Sequence, residues 1–251
     1  MLAALKSLLK SDTRVAPSHI GRLTYAIGDI HGRDDLFEKM LARIRADAGD
    51  ARPQIVLLGD YIDRGAASRQ VLDRILLTEK AGWCDLVVLV GNHEDTMMQF
   101  LVDPGVGPSW MEYGGLATLA SYGLAAPSLS ADYSVWEELR DRLREALPPS
   151  HVALLRRMCL FYESGDYFFV HAGVRPDLPL EDQGPEEFLW IRGPFLDARK
   201  SCDRVVVHGH TPEVDMTNDR WRIGLDTGAY ATGVLTAIRL EADTRQVLEV
   251  R

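Results

Sequence analysis

QIVLLGDYIDRG, residues 54–65, is an apolar run that stops at Gly-Asp and turns polar at once. A strand with one face in water alternates apolar and polar residues; a run without alternation is buried on both faces, with helices covering it. The same plan stands on either side. LTYAIGDIHG (23–32) is apolar up to Gly28-Asp29, and CDLVVLVGNHED (84–95) up to Gly91-Asn92. Between these runs lie helical patterns. RDDLFEKMLARIRADAG (33–49) sets Leu36, Phe37, Met40, Leu41 and Ile44 at helical spacing, and AASRQVLDRILLTEKAG (66–82) stops at Gly82. TMMQFLV (96–102) follows the third run as the next helix. The order β-α-β-α-β-α predicts an α/β sheet whose chemistry sits beyond the carboxyl ends of its strands.

Residues 100–160 read differently. DPGVGP (103–108) is a loop, while SWMEYGGLATLASYGL (109–124), VWEELRDRLREAL (135–147) and the start of PPSHVALLRRMCLFYESG (148–165) are helical. They predict a helical cap inserted into one domain spanning 21–251. From 166 onward come strands and turns, in DYFFVHAGV, RVVVHGHTP, RWRIGLDTGAY and GVLTAIRLEADTRQVLEVR. This is a second, mostly β half.

The chain has 251 residues, enough for one large domain or a domain with an insertion. A net charge of −9 argues against general nucleic-acid binding, which needs a basic footprint. It does not exclude a small anionic substrate, because a local arginine or metal cluster can reverse the field of a cleft. Cys84, Cys159 and Cys202 lie far apart without CxxC spacing, which indicates reduced thiols and a cytoplasmic location. MLAALKSLLKSDTR places Leu2, Leu5, Leu8 and Leu9 on one helical face but is too short to span a bilayer. It predicts an amphipathic N-terminal extension over 1–20, and no transmembrane segment is expected elsewhere.

The chemistry lies at the strand ends. GDIHG offers Asp29 and His31; GDYIDRG offers Asp60, Asp63 and Arg64; GNHE offers Asn92 and His93; HAG offers His171; HGHT offers His208 and His210; GLDTGA offers Asp226. Singly, each is an ordinary turn, cap or hydrogen-bonded residue. Together they form an oxygen and nitrogen donor set without thiolate, suited to manganese, iron or zinc. The donors exceed what one ion needs. A bridging carboxylate between two ions about 3.5–4 Å apart would use the surplus.

GDIHG, GDYIDRG, GNHE, HAG and HGHT, in this order, resemble the signature of the phosphoprotein phosphatase family of calcineurin-like metallophosphoesterases. The resemblance runs from about residue 24 to 238. FLWIRGPF and GLDTGAYATGVLTAI look most like its bacterial and phage branch, which includes the bacteriophage lambda protein phosphatase. The resemblance implies a β-sandwich flanked by helices and two divalent ions, manganese first with iron or zinc as alternatives. It implies that Asp29, His31 and Asp60 hold one ion, with Asp60 bridging, and that Asn92, His171 and His210 complete the other. His93 would protonate the leaving oxygen, Asp63 would orient His93, and Arg64 and Arg192 would clamp the phosphoryl oxygens. His208 receives no metal role, and Pro212 stands where many relatives carry the second histidine of GHxH.

The first expectation is a phosphomonoesterase acting on phosphoserine and phosphothreonine in proteins, with phosphotyrosine or small phosphoesters as further substrates. The alternative is a hydrolase of nucleotides similar to the symmetrical diadenosine tetraphosphate hydrolases. A third reading, an inactive scaffold that binds phosphorylated partners, conflicts with the complete donor, acid and arginine set. Glu94 is expected to make a structural hydrogen bond, and Asp226 to support the metal shell or a turn. Tyr113-Gly114-Gly115 would set a cap loop near the cleft, and Trp110, Trp190 and Tyr230 are rim candidates, although aromatic residues at such places are more often packing.

Overall fold

The computed structural model describes residues 18–199 and 202–251. The helix expected in the N-terminal extension lies outside the described residues. The first element is strand β1 (Ile20–Ile27), followed by helix α1 (Asp34–Ala48), β2 (Gln54–Leu57), α2 (Ser68–Ala81), β3 (Asp85–Val88) and α3 (Asn92–Phe100). β1, β2 and β3 pair in parallel. Helix α1 buries Leu36, Phe37, Met40, Leu41 and Ile44, the five positions with helical spacing. Helix α2 ends at Gly82, which takes the left-handed conformation and donates its amide to the Glu79 carbonyl. Helix α3 differs from its expected start. It begins at Asn92, inside the polar motif, so Asn92 and His93 occupy its first turn.

Four helices follow: α4 (Gly107–Glu112), α5 (Gly115–Ser121), α6 (Tyr133–Ala146) and α7 (Pro149–Arg156). Trp110, Leu119, Trp136, Leu143 and Leu154 from this cap share one buried cluster with Phe37, Met40 and Leu72. The cap is therefore continuous with the first core. Then come β4 (Phe161–Ser164), β5 (Tyr167–Val170), the short helices α8 (Pro185–Trp190) and α9 (Gly193–Leu196), β6 (Val205–His208), β7 (Thr217–Asn218), β8 (Arg222–Gly224), helix α10 (Ala229–Thr232), β9 (Leu235–Ala242) and β10 (Thr244–Val250).

Two five-stranded sheets result, ordered β10-β9-β1-β2-β3 and β4-β5-β6-β8-β7. The C-terminal hairpin does not stay with the second half of the chain. β9 crosses back to pair antiparallel with β1. Side chains alternate between faces, as strand geometry requires. On β2, Ile55 and Leu57 face the helices while Val56 joins Ala26, Phe169, Val207 and Ile238 between the sheets. On β5 and β6, Phe168, Val170 and Val206 face outward onto Phe188 and Phe195 of α8 and α9. The apolar runs are continuous because each face of each sheet packs against a different layer. The fold is an α/β metallophosphoesterase-type sandwich flanked by helices, with a helical cap. No helix among the described residues is long and apolar enough to cross a membrane.

One buried carboxylate ties the ends of β2 and β3 together. Glu94 Oε2 accepts the amides of Asp60 at 2.9 Å and Gly91 at 3.0 Å; Oε1 accepts those of Tyr61 at 2.8 Å and Ile62 at 3.1 Å. Burial raises its pKa to about 8, helped by Asp60, while the Ile62 and Tyr61 amides oppose that rise. Four N–H donors facing two oxygens favour the ionised form. Glu94→Gln presents an amide NH2 to two of these donors. It should cost about 2–6 kcal/mol, since each buried unsatisfied group costs about 1–3 kcal/mol. Denaturant unfolding of the metal-free protein reads this directly, and an unchanged midpoint with unchanged slope refutes it.

Candidate metal centre

Every polar strand end converges on one cleft edge. Asp29 and His31 follow β1, Asp60 and Asp63 follow β2, Asn92 and His93 open α3 after β3, His171 follows β5, and His210 follows β6. All are buried. Two donor groups form, one from His31, Asp60 and His93 and one from Asp60, His171 and His210; within each group the donor atoms lie within 4.8 Å of one another. Asp60 belongs to both. The backbone is bent to achieve this. His31, Asp60, Asp63, Arg64 and His210 all have positive φ, between 46° and 70°. Such conformations are unfavourable for side-chain-bearing residues and cluster at functional sites. Gly209 is required for the same closeness, because a Cβ there would stand 1.9 Å from Asp29 Oδ1.

The histidine hydrogen bonds fit a cation site. His31 Nδ1 donates to the Ile62 carbonyl at 2.8 Å, and His171 Nδ1 to the Leu58 carbonyl at 2.9 Å. A carbonyl can only accept, so each Nε2 is left as a bare lone pair. His31 Nε2 is buried without a hydrogen-bond partner and lies 3.5 Å from Asp60 Oδ2. His171 Nε2 points at Asn92 Oδ1 from 2.9 Å, two acceptors face to face, and His210 Nδ1 meets the same oxygen at 2.8 Å. Lone pairs aimed at one another inside a protein call for a positive charge between them. Anchoring of the distal ring nitrogen on a backbone carbonyl is the usual support for a metal-binding imidazole.

The charges agree. Burial drives the pKa of His31 down to about 3 and of His210 to about 2, and it lowers His171 as well. Burial therefore favours the neutral imidazole at all three, the form in which a ring nitrogen can bind a cation. Burial would raise Asp60, but His171, His93 and His31 surround it and hold it well below the usual carboxylate range. Asp29 is pushed upward by burial and by the Asp226 and Asp60 carboxylates. Three buried carboxylates in one pocket need cationic compensation. The residues present therefore fit divalent ions. Asp29 lies outside the two donor groups, and its carboxylate accepts the His210 amide at 3.0–3.1 Å.

His93 is differently placed. Its Nδ1 donates to Asp63 Oδ2 at 2.7 Å, and its Nε2 lies 3.3 Å from Arg64 Nη2. Burial lowers its basicity, but Asp60 and Asp63 outweigh that and leave its pKa above the ordinary value. With both ring nitrogens engaged, His93 is less suited to ligation than to carrying a proton. Asp63 is fixed from several sides. Trp110 Nε1 donates to Oδ2 at 2.9 Å, Thr118 Oγ1 to Oδ1 at 2.5 Å, and the Asp63 amide donates to Ser68 Oγ at 3.0 Å. Trp110 is fully buried. Of the two readings for Trp110, rim or packing, its burial supports packing: it is a cap residue that holds the His93–Asp63 pair. Thr118 and Ser68 carry no motif, and only their contact with Asp63 reveals them.

Arg64 lies over the Tyr230 ring at 4.8 Å, and Arg192 Nη1 donates to Thr211 Oγ1 at 3.2 Å. Tyr113, Trp190 and Tyr230 are partly exposed around the cleft, with Trp190 6.2 Å from Tyr113 and 6.4 Å from His210 between ring centroids. His208 packs edge-on against Phe195, outside both donor groups. Asp226 Oδ1 accepts the Gly228 amide at 2.9 Å, while its Oδ2 is buried without a partner. Burial pushes its pKa up to about 6.

Known proteins resemble this chain in sequence and in fold. The chain is 24% identical to the asymmetrical bis(5'-nucleosyl)-tetraphosphatase of Anoxybacillus flavithermus, over 85% of this chain and 88% of that protein. It is 30% identical to the symmetrical bis(5'-nucleosyl)-tetraphosphatase of an Acidovorax species over 63% of this chain, spanning about half of that relative, 46%. A solved structure described as a candidate diadenosine tetraphosphatase shares the fold, with a TM-score of 0.62 and 16% identity over 94% of this chain and 99% of that one. The family model for calcineurin-like phosphoesterases matches residues 23–230, which contain every donor described above, and the chain belongs to that family.

Proposed function

We propose that the protein is a metal-dependent hydrolase of dinucleoside polyphosphates. The observation that carries this is the relative named as a bis(5'-nucleosyl)-tetraphosphatase that aligns over 85% of this chain and 88% of its own length. This reverses the order reached from motifs alone, where protein phosphatase came first. The motifs are shared by both activities, and likeness to whole relatives favours the nucleotide.

In this reading Asp29, His31 and Asp60 hold one divalent ion, and Asn92, His171 and His210, with Asp60 shared, hold the other. Manganese, iron and zinc all suit such an oxygen and nitrogen donor set. When bound, the ions lower the pKa of water and neutralise charge on a phosphoryl group. The protein's own groups do the rest. Arg64 and Arg192 clamp non-bridging oxygens with paired N–H donors. Arg64 leaves His93 Nε2 to do so; that nitrogen, which accepts from Arg64 and holds no proton while it does, can then take one up, as the carboxylates of Asp60 and Asp63 favour, and pass it to the departing oxygen. Asp63 holds the imidazole in the required tautomer, and Trp110 and Thr118 hold Asp63.

Two outcomes test this. With manganese added, a dinucleoside tetraphosphate should give a higher kcat/KM than phosphoserine, phosphothreonine or phosphotyrosine peptides, and chelator should abolish turnover of all of them. A preference for the peptides restores protein phosphatase as the activity. The second outcome concerns the acid. A phosphate leaving group is a much weaker base than an alkoxide and needs less help from a proton. His93→Asn should therefore cut turnover of an alkyl phosphate by about 10²–10⁴-fold, the usual worth of proton transfer, and turnover of the dinucleotide by less. Full alkyl phosphate turnover in the variant removes the proton role.

A further inference from the structure

Beside the metal centre the 185–196 segment carries two different faces. Arg192 reaches Thr211, directly after His210. Trp190, two residues earlier, sits 6.4 Å from the His210 ring and also lines a separate cavity of about 370 Å³ with Ile191, Pro194, Arg175, Asp177 and Glu186. Trp190 is 37% exposed. The one arginine of this cavity is already paired with Asp177, Nε to Oδ1 at 3.0 Å. The cavity thus has an aromatic plate, two aliphatic walls and an acidic edge without a free cation to match it. A phosphate would be repelled there. A neutral, flat, amine-bearing ring would be accepted, stacked on the indole with its N–H donors toward carboxylate oxygens.

Resting on the dinucleotide reading above, we propose that this cavity is the nucleobase subsite and that Trp190 is the residue that selects a nucleoside over other phosphate bearers. The polyphosphate lies along Arg192 toward the metals while the base leaves that axis at Trp190. The volume suits one nucleoside and lies near the lower end of the 300–1,000 Å³ of sites that enclose drug-sized ligands. The second nucleoside therefore lies outside this cavity. Tyr113, 6.2 Å from Trp190, continues the aromatic wall on the cap side.

Adenosine is the decisive probe, because it has no phosphate and needs no metal. Calorimetry on the chelator-treated protein should detect adenosine binding. Trp190→Ala should weaken it by at least about fivefold, the lower end of what base–aromatic stacking is worth, and Trp190→Phe should restore most of it. In hydrolysis, Trp190→Ala should lower the ratio of kcat/KM for diadenosine tetraphosphate to that for p-nitrophenyl phosphate. Ile191→Ala, which removes a wall without touching the aromatic plate, should lower the same ratio less. If both substrates fall in proportion and adenosine binding is unmoved, Trp190 is only a packing residue and the subsite is refuted, with the dinucleotide reading intact. If the unaltered protein hydrolyses phosphopeptides but no dinucleotide, the reading itself has failed. A basic phosphopeptide that needs Trp190 while adenosine does not bind also overturns the proposal.

Discussion

A carboxylate buried almost completely from water governs this molecule. Asp60 is 1% exposed and ionised among His31, His93, His171 and His210. Burial of that charge is tolerable only if the surroundings answer it. The neighbouring imidazoles answer through lone pairs that themselves need a cation, so metals complete the balance. Much of the local structure follows from this need. The left-handed backbone at Asp60, the four amides held by Glu94, and the glycine that lets His210 approach Asp29 all serve to keep opposing groups at contact distance.

The sandwich exists to bring those groups together. His31, Asp60 and Asn92 come from the first sheet, and His171 and His210 from the second. The Leu58 carbonyl reaches across to His171 Nδ1, so the seam between sheets is also the wall of the site. The cap contributes by a different route. It touches the site through Trp110 and Thr118 on Asp63, which makes the placement of His93 depend on cap packing.

The first three strands and the helices between them were legible because their cues are local: apolar runs, helical spacing and a closing Gly82. The residues that gather at the cleft were legible because Gly-flanked Asp, Asn and His recur at strand ends; His208 lies outside both donor groups. Other features depend on contacts far apart in sequence. The C-terminal hairpin returns to β1 through pairings such as Thr24 with Leu240, which no local pattern encodes. Trp110 reads as a rim aromatic until its indole is seen on Asp63. Helix α3 starts early because Glu94 folds back onto the Gly91 amide, which makes the metal motif part of the helix. The choice between protein and nucleotide substrate was not legible, since the motifs describe the phosphoryl chemistry and not the group that bears the phosphate.

The return of β9 to β1 also sets a timetable for the nascent polypeptide. β1 is made more than 200 residues before its partner, so the first sheet stays open along that side while the intervening chain is added. Loop closure over such a span is slow and costly in entropy. The end of β1, where the Gly28 amide beside Asp29 donates to the Thr236 carbonyl, is therefore fixed only once β9 has emerged.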